Sequence, residues 1–149
     1  MNRFIRGLIV AIVLLLSGTA SGQLIDFKKK VHPESSEEAR VKKVETILEK
    51  NDGLILVYAK GLCCPSCAIG IRKMVSRLDF VDSSGKNKGV ELDPEFQLVS
   101  FRLQKDNPID LGKLALAIDD AGYEPVQWYR MKDSKVIAEK LSLNEKASE

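Results

Sequence analysis

The strongest constraint on the fold is the order of apolar segments in the middle of the chain. Short β-rich runs alternate with stretches whose apolar residues recur every three or four positions, which is the spacing of helices with one buried face. Between Leu54 and Tyr129 this pattern predicts the order β-α-β-β-α-β. That is the split βαβ arrangement, in which two helices cover one face of a four-stranded antiparallel sheet. We therefore predict an α+β, ferredoxin-like sandwich.

The individual elements have their own signals. The predicted strands are 54–59, 89–92, 96–103 and 126–129. In the third strand, apolar residues alternate with Gln97, Ser100 and Arg102, which predicts a sheet with one face in water. The buried face of the first helix is predicted to consist of Ile71, Met74, Val75 and Leu78. The second helix is predicted between Pro108 and Gly122.

The beginning of the chain resembles a secretory signal. Arg3 and Arg6 precede an apolar run from Leu8 to Leu16, and small residues follow from 17 to 22. The apolar run is shorter than the roughly 20 residues that a membrane-spanning helix needs. We expect residues 1–22 to be cleaved, which predicts a periplasmic or secreted protein with no stable membrane insertion. The alternative is an uncleaved signal that anchors the protein to the inner membrane.

Two further segments flank the predicted domain, which covers residues 53–130. Residues 23–52 form a charged leader, in which Ser35 and Glu38 have capping-box spacing and a helix is predicted over 37–50. Its one weak apolar stripe leaves open whether this helix packs on the domain or acts as a spacer. The tail, residues 131–149, is predicted to hold a weak amphipathic helix that frays.

The charge balance excludes one class of partner. The chain has 23 basic and 21 acidic residues, and Arg3 and Arg6 lie in the predicted signal, so the mature chain is electrically balanced. No basic face is indicated, and we therefore expect no nucleic-acid partner. We expect the mature protein to be a monomer.

All three cysteines lie within the five-residue stretch Cys63-Cys64-Pro65-Ser66-Cys67. Cysteines so close together cannot link distant parts of a fold, so they indicate a chemical site instead. A Cys-x-x-Cys at a strand–helix junction suits two uses, because a helix amino terminus stabilises thiolate. The pair Cys64 and Cys67 can bind a soft metal ion, or it can cycle between dithiol and disulfide. We expect both cysteines of the pair to lie in an exposed loop.

The stretch from Gly61 to Cys67 resembles the Gly-Met-Thr-Cys-x-x-Cys loop of the heavy-metal-associated domain family. That family includes copper chaperones, the amino-terminal domains of metal-pumping ATPases and periplasmic mercury-binding proteins. A second stretch, from Ala117 to Tyr123, is similar to the segment that closes the family's second helix. The resemblance covers about half of the chain, and an exported single copy is most similar to the mercury-binding and copper-binding members.

The resemblance implies roles for individual residues. Cys64 and Cys67 match the two metal ligands, and Leu62 matches a loop methionine that packs beneath the site. Tyr123 matches an aromatic residue in the loop that faces the metal, although a plain core aromatic is nearly as good an interpretation. Cys63 stands where the family has threonine or serine, and we expect it to be auxiliary, recruited by ions that take three or more sulfurs. An oxidised loop is expected to contain a Cys64–Cys67 disulfide, because a disulfide between neighbouring residues is strained.

Thiolate ligands select soft ions, and two of them suit the linear coordination of Cu(I), our first choice, or Hg(II), our second. Zn(II) or Cd(II) remains an alternative, but Zn(II) prefers four ligands and would need Cys63 and an outside donor. His32 is the only histidine of the chain. It lies in the charged leader, and we do not expect it to bind metal.

The predicted function is that of a carrier or scavenger, not an enzyme. It would capture a soft cation with Cys64 and Cys67 and pass it by ligand exchange to a metal transporter or another carrier. Two alternatives stay open. The first is a periplasmic thiol–disulfide oxidoreductase, whose thioredoxin-like fold would need a cis-proline, with Pro94 as the candidate. The second is an interaction domain whose cysteines are vestigial or simply disulfide-bonded.

Overall fold

The structure is a computed structural model that describes residues 32–64, 66, 68–105 and 107–143. The predicted signal peptide lies outside the described residues. The helices are α1 (Glu37–Lys50), α2 (Ala68–Val75) and α3 (Leu111–Asp120), with a 3-10 helix at Lys86–Gly89. The strands are β1 (Leu54–Lys60), β2 (Val90–Asp93), β3 (Leu98–Arg102), β4 (Glu124–Lys132) and β5 (Lys135–Lys140). Among the described residues, no helix is long and apolar enough to cross a membrane.

The five strands form one antiparallel sheet in the order β2-β3-β1-β4-β5. The prediction of a four-stranded, ferredoxin-like sandwich with two helices is therefore wrong. A fifth strand extends the sheet beyond β4, and a third helix packs on the sheet as an additional layer. Both additions come from the segments that the sequence pattern placed outside the domain.

The tail contributes the fifth strand in place of the frayed helix that the sequence predicted. Asp133 and Ser134 both have positive φ, at 50° and 60°, and they join β4 to β5. Two left-handed residues between paired strands are typical of the type I′ turn of a tight hairpin. Beyond β5, Leu141 is 1% exposed and joins the larger core. Pairing with β4 and burial of Leu141 thus outweigh the weak helical periodicity.

Helices cover both faces of the sheet. On one face, α2 and α3 pack over alternate residues of β1, namely Ile55, Val57 and Ala59, and the whole set forms the larger core. On the other face, α1 packs over the intervening residues of the same strand and forms a smaller core, which consists of Val44, Leu48, Leu56, Tyr58, Leu98 and Tyr129. The leader helix is therefore part of the fold and does not act as a spacer.

The prediction of one wet sheet face is accordingly wrong in part. Ser100 and Arg102 are partly or fully exposed, but Gln97 is only 3% exposed. The chain has a φ of 58° at Gln97, and β3 begins one residue later, so the predicted alternation does not reach it. Its carbonyl oxygen accepts a hydrogen bond from the Ala59 amide at 3.0 Å.

Helix α1 has the predicted range but a different cap. The Ser36 hydroxyl accepts a hydrogen bond from the Ala39 amide at 3.3 Å, which satisfies one of the free N–H groups at the helix start. Ser35, the predicted cap, precedes it, and its hydroxyl has no hydrogen-bond partner among the described residues. The cap therefore lies one residue later than predicted, and no capping box forms there, because the N3 position is Ala39, whose side chain cannot return a hydrogen bond.

Candidate functional site

The cysteine loop lies at the sheet end where β1 stops and β3 and β4 begin. Tyr58 pairs with Leu98 of β3, and Lys60 pairs with Glu124 of β4. Gly61 follows at once with a φ of 91°, a conformation that favours glycine, and turns the chain out of the strand. The loop then leads into α2, which begins at Ala68. The predicted strand–loop–helix placement of the motif is thus present.

The two described cysteines of the loop, Cys63 and Cys64, differ in environment. Cys64 is disulfide-bonded and 1% exposed. Its sulfur lies 3.4 Å from the hydroxyl oxygen of Ser66. Cys63 is a free thiol and is half-buried, so the two neighbouring cysteines are not bonded to each other. Cys67 lies outside the described residues.

The burial of Cys64 corrects one expectation from the sequence. We expected both members of the Cys-x-x-Cys pair to lie in an exposed loop, but the side chain of Cys64 is enclosed. A thiol enclosed in this way reaches an ion only after reduction of its disulfide and a local movement of the loop, because the thiolate is the metal ligand. Of the two described cysteines, Cys63 is the more exposed.

The two residues predicted to surround the site lie beside the loop. Leu62, which directly precedes Cys63 in the sequence, is fully buried in the larger core. Tyr123 packs partly against the same core, and its Cδ1 atom lies 3.7 Å from the position that a Cβ on Gly61 would take. Burial, and secondarily the nearby Cys63 sulfur, raise the pKa of Tyr123. The role of Tyr123 or Cys63 toward a metal stays a prediction.

The basic residues near the loop already have partners. The Lys60 ammonium group lies 3.1 Å from a carboxylate oxygen of Glu124, and this hydrogen bond raises the pKa of Lys60. The Arg72 guanidinium donates a hydrogen bond to the carbonyl of Val90 at 3.0 Å. These contacts direct neither cation at a described cysteine.

A residue that the sequence did not connect with the site lies next to it. The amide of His32 donates a hydrogen bond to the carbonyl of Cys63 at 2.9 Å. The leader thus runs back to the cysteine loop, although the two segments are about thirty residues apart in sequence. No sequence signal indicated this, because a single hydrogen bond between irregular segments produces no periodicity.

The described donor groups were compared with the arrangement that a multidentate metal site needs. Within the described part of the chain, which omits Cys67, no three His, Cys, Asp or Glu side chains lie together as a metal-binding group. Of the predicted ligand pair, only Cys64 is among the described residues, together with the auxiliary Cys63.

Comparisons of the chain with protein-family models, with curated proteins and with solved structures found no match. The resemblance to the heavy-metal-associated family consequently rests on the residues from Gly61 to Cys67 and from Ala117 to Tyr123. It remains an expectation, and the function is a proposal from the chemistry of the loop.

Proposed function

We propose that this protein binds a soft metal ion, Cu(I) or Hg(II), as cargo and passes it to another thiol-bearing protein. The observation that carries the proposal is the concentration of all three cysteines of the chain in one strand–helix connection. Sulfur donors prefer soft cations to hard ones, and two thiolates suit linear coordination. Zn(II) or Cd(II) would require further donors and is the lesser alternative.

The loop's surroundings agree with such a role. Leu62 provides an apolar support below the loop, and Tyr123 covers one side of it. Apolar neighbours exclude water and strengthen the interaction between a cation and thiolates. Cys63 is only half-buried, so a partner's thiolate would have a route of approach at this side of the loop.

The mechanism would be ligand exchange without net redox chemistry. The disulfide at Cys64 must first be reduced by a cellular dithiol, which takes up the oxidation as its own disulfide. The Cys64 and Cys67 thiolates then hold the ion. Two thiolates of a transporter or a second carrier would add to the ion one after the other, and each would displace one of the two original sulfurs. The product is the same ion on the partner, with the carrier's thiols free again.

The test is a Cu(I) titration of reduced protein, without oxygen, in competition with a chromophoric chelator. Wild-type protein should bind one Cu(I), and Cys64→Ala should lose at least about 100-fold in affinity, because one of two strong ligands is removed. Cys63→Ser is the matched control in the same loop and should keep wild-type affinity. Since Cys64 is buried, urea unfolding must show that Cys64→Ala remains folded. Equal affinity of Cys64→Ala and wild type would refute the proposal.

The disulfide at Cys64 also favours a second candidate, a thiol–disulfide oxidoreductase. In that case the disulfide would accept two electrons and two protons from a substrate dithiol, which would become a disulfide. The thioredoxin-like arrangement considered from the sequence needs a cis-proline, and the bond before Pro94 is trans. Equilibration with a glutathione buffer separates the candidates: a strongly oxidising potential together with no retention of Cu(I) would favour the oxidoreductase.

A further inference from the structure

Arg40 of helix α1 is a charged residue that the proposed function does not use, and it is only 4% exposed. Its guanidinium donates hydrogen bonds to the carbonyl of Ser35 at 2.9 Å and to the carbonyl of Phe96 at 3.3 Å. Its Cζ atom lies 3.4 Å from the centre of the Tyr58 ring. A buried charge persists only where such contacts replace water, so this arginine has a defined position.

The contacts of Arg40 join three parts of the molecule. Ser35 belongs to the segment 32–36 that precedes α1, which we call the strap. Phe96 lies in the turn between β2 and β3, and Tyr58 lies in β1. Arg40 therefore attaches the strap to the sheet from inside the molecule.

A second contact attaches the strap at Glu34. The Tyr58 hydroxyl donates a hydrogen bond to a carboxylate oxygen of Glu34 at 2.5 Å. Hydrogen bonds to ionised groups are about twice as strong as those between neutral groups. The same tyrosine ring thus contacts Arg40 with its face and Glu34 with its hydroxyl, which places the strap along the end of β1.

The far end of the strap meets the cysteine loop. The His32 amide donates a hydrogen bond to the carbonyl of Cys63, the free thiol of the loop. One residue separates His32 from Glu34 in the sequence, and two residues separate it from Ser35. A strap held at Glu34 and Ser35 therefore keeps the His32 amide close to the loop.

We propose that the strap is a positioning element for the cysteine loop and that Arg40 is the positioning residue that holds the strap in place. Release of the strap frees the Cys63 carbonyl and lets the loop open without unfolding of the sheet. An open loop presents its sulfurs in more orientations, so an attacking thiol or alkylating reagent reaches them more often. The part of the proposal that concerns metal exchange rests on the proposed function; the part that concerns the thiol does not.

The deciding variant is His32→Pro, because proline has no amide hydrogen and therefore lacks the donor to the Cys63 carbonyl. His32→Ala is its matched control, since it removes the imidazole and keeps the amide. Iodoacetamide modification of Cys63 under native conditions should be at least about tenfold faster in His32→Pro than in wild type, the size expected for loss of one ordering hydrogen bond. His32→Ala should react at the wild-type rate.

Arg40→Met removes the guanidinium that holds the strap in place. Lys42→Met is the control, because it is a similar exchange at an exposed position of α1. Arg40→Met should accelerate Cys63 modification as His32→Pro does, and Lys42→Met should not. If Arg40→Met fails to fold, the comparison of His32→Pro with His32→Ala still tests the role of the strap. Urea unfolding of His32→Pro must match that of His32→Ala, because a positioning effect changes thiol access while global stability stays constant.

The metal arm measures the rate at which reduced, Cu(I)-loaded protein gives its ion to a competing chelator. His32→Pro should release Cu(I) at least about fivefold faster than His32→Ala. Equal Cys63 modification rates in the folded His32→Pro and His32→Ala variants would overturn the strap proposal. If no variant, wild type included, binds Cu(I), the proposed function fails, and the modification rates still decide the role of the strap.

Discussion

The two faces of the sheet are covered in different ways. Among the described residues, the face under α2 and α3 has seventeen buried apolar side chains in one cluster, and the face under α1 has six. Apolar burial contributes roughly 25 cal/mol per Å², so the larger face supplies most of the stabilising free energy. The smaller face adds a polar cluster of Arg40, Tyr58 and Glu34.

This difference separates two tasks. The larger core holds the sheet together and supports Leu62 at the start of the cysteine loop. The smaller core, with its polar cluster, holds α1 and the strap, and the strap contacts the Cys63 carbonyl through the His32 amide. Because fewer apolar contacts hold α1, we expect this layer to open at a lower free energy than the rest of the fold.

The largest expected effect comes from a matched pair of leucines, Leu114 in α3 and Leu48 in α1, which are 0% and 1% exposed. Leu114→Ala should lower the free energy of unfolding by about 3–4 kcal/mol, because it leaves a cavity in the larger core. Leu48→Ala should cost less, about 2–3 kcal/mol, because α1 can detach instead of keeping a cavity. Urea unfolding measures both values.

Amide hydrogen exchange then shows whether the layer of α1 opens independently of the sheet. In Leu48→Ala, the amides of α1 should exchange faster while those of β1 keep their protection. In Leu114→Ala, both should accelerate together. If the amides of α1 and β1 respond alike in Leu48→Ala, the layer of α1 is not a separate unit and the comparison between the faces fails.

A smaller effect is expected from Tyr58 at high pH. Burial, and then the hydrogen bond to Glu34, raise the pKa of Tyr58 from 10.0 to about 12. The folded state favours the neutral phenol, so the stabilisation is complete below pH 10 and is lost as the pH rises through 12. The loss should reach about 2 kcal/mol across this window.

The control for this prediction is Tyr58→Phe, which cannot ionise. The difference in unfolding free energy between wild type and Tyr58→Phe should shrink between pH 10 and pH 12, while the contributions of the other tyrosines cancel in the difference. A difference that stays constant over this range would mean that the Tyr58 hydroxyl is not held by the smaller face.

The smallest effect concerns the start of α1. Ser36→Ala should cost about 1 kcal/mol, because it removes the side chain that caps the helix. Ser35→Ala is the control, since the Ser35 hydroxyl has no hydrogen-bond partner among the described residues and its removal should cost little. Thermal unfolding of both variants measures the difference. A greater loss in Ser35→Ala would restore the cap predicted from the sequence.

The sequence predicted elements well where a pattern lies within a single segment. The helix over 37–50 has the predicted bounds, and the strands and helices between 54 and 132 follow the predicted order. Their ends differ by a few residues, as at β3, which begins at Leu98 because Gln97 is in the left-handed region. Such ends depend on individual φ values, which apolar spacing does not encode.

The fifth strand was missed although the sequence held a signal for it. Asp133 tolerates positive φ better than most residues, and a two-residue turn was compatible with the apolar positions on either side. The helical spacing of Val136, Ile137 and Leu141 competed with that signal. Pairing with β4 decided between them, and a pairing partner is not visible from within the segment.

The amino-acid order alone determined the local elements and the concentration of three sulfurs in one loop, because both depend on residues close together in the chain. The tertiary structure decided how the segments meet: α1 on the second face, β5 at the sheet edge, Cys64 enclosed and the strap at Cys63. These outcomes depend on contacts between distant residues, such as Arg40 with Phe96, whose stabilisation must exceed the entropy lost in ordering both segments. The spacing of apolar residues within one segment gives no information about the free energy of such distant contacts.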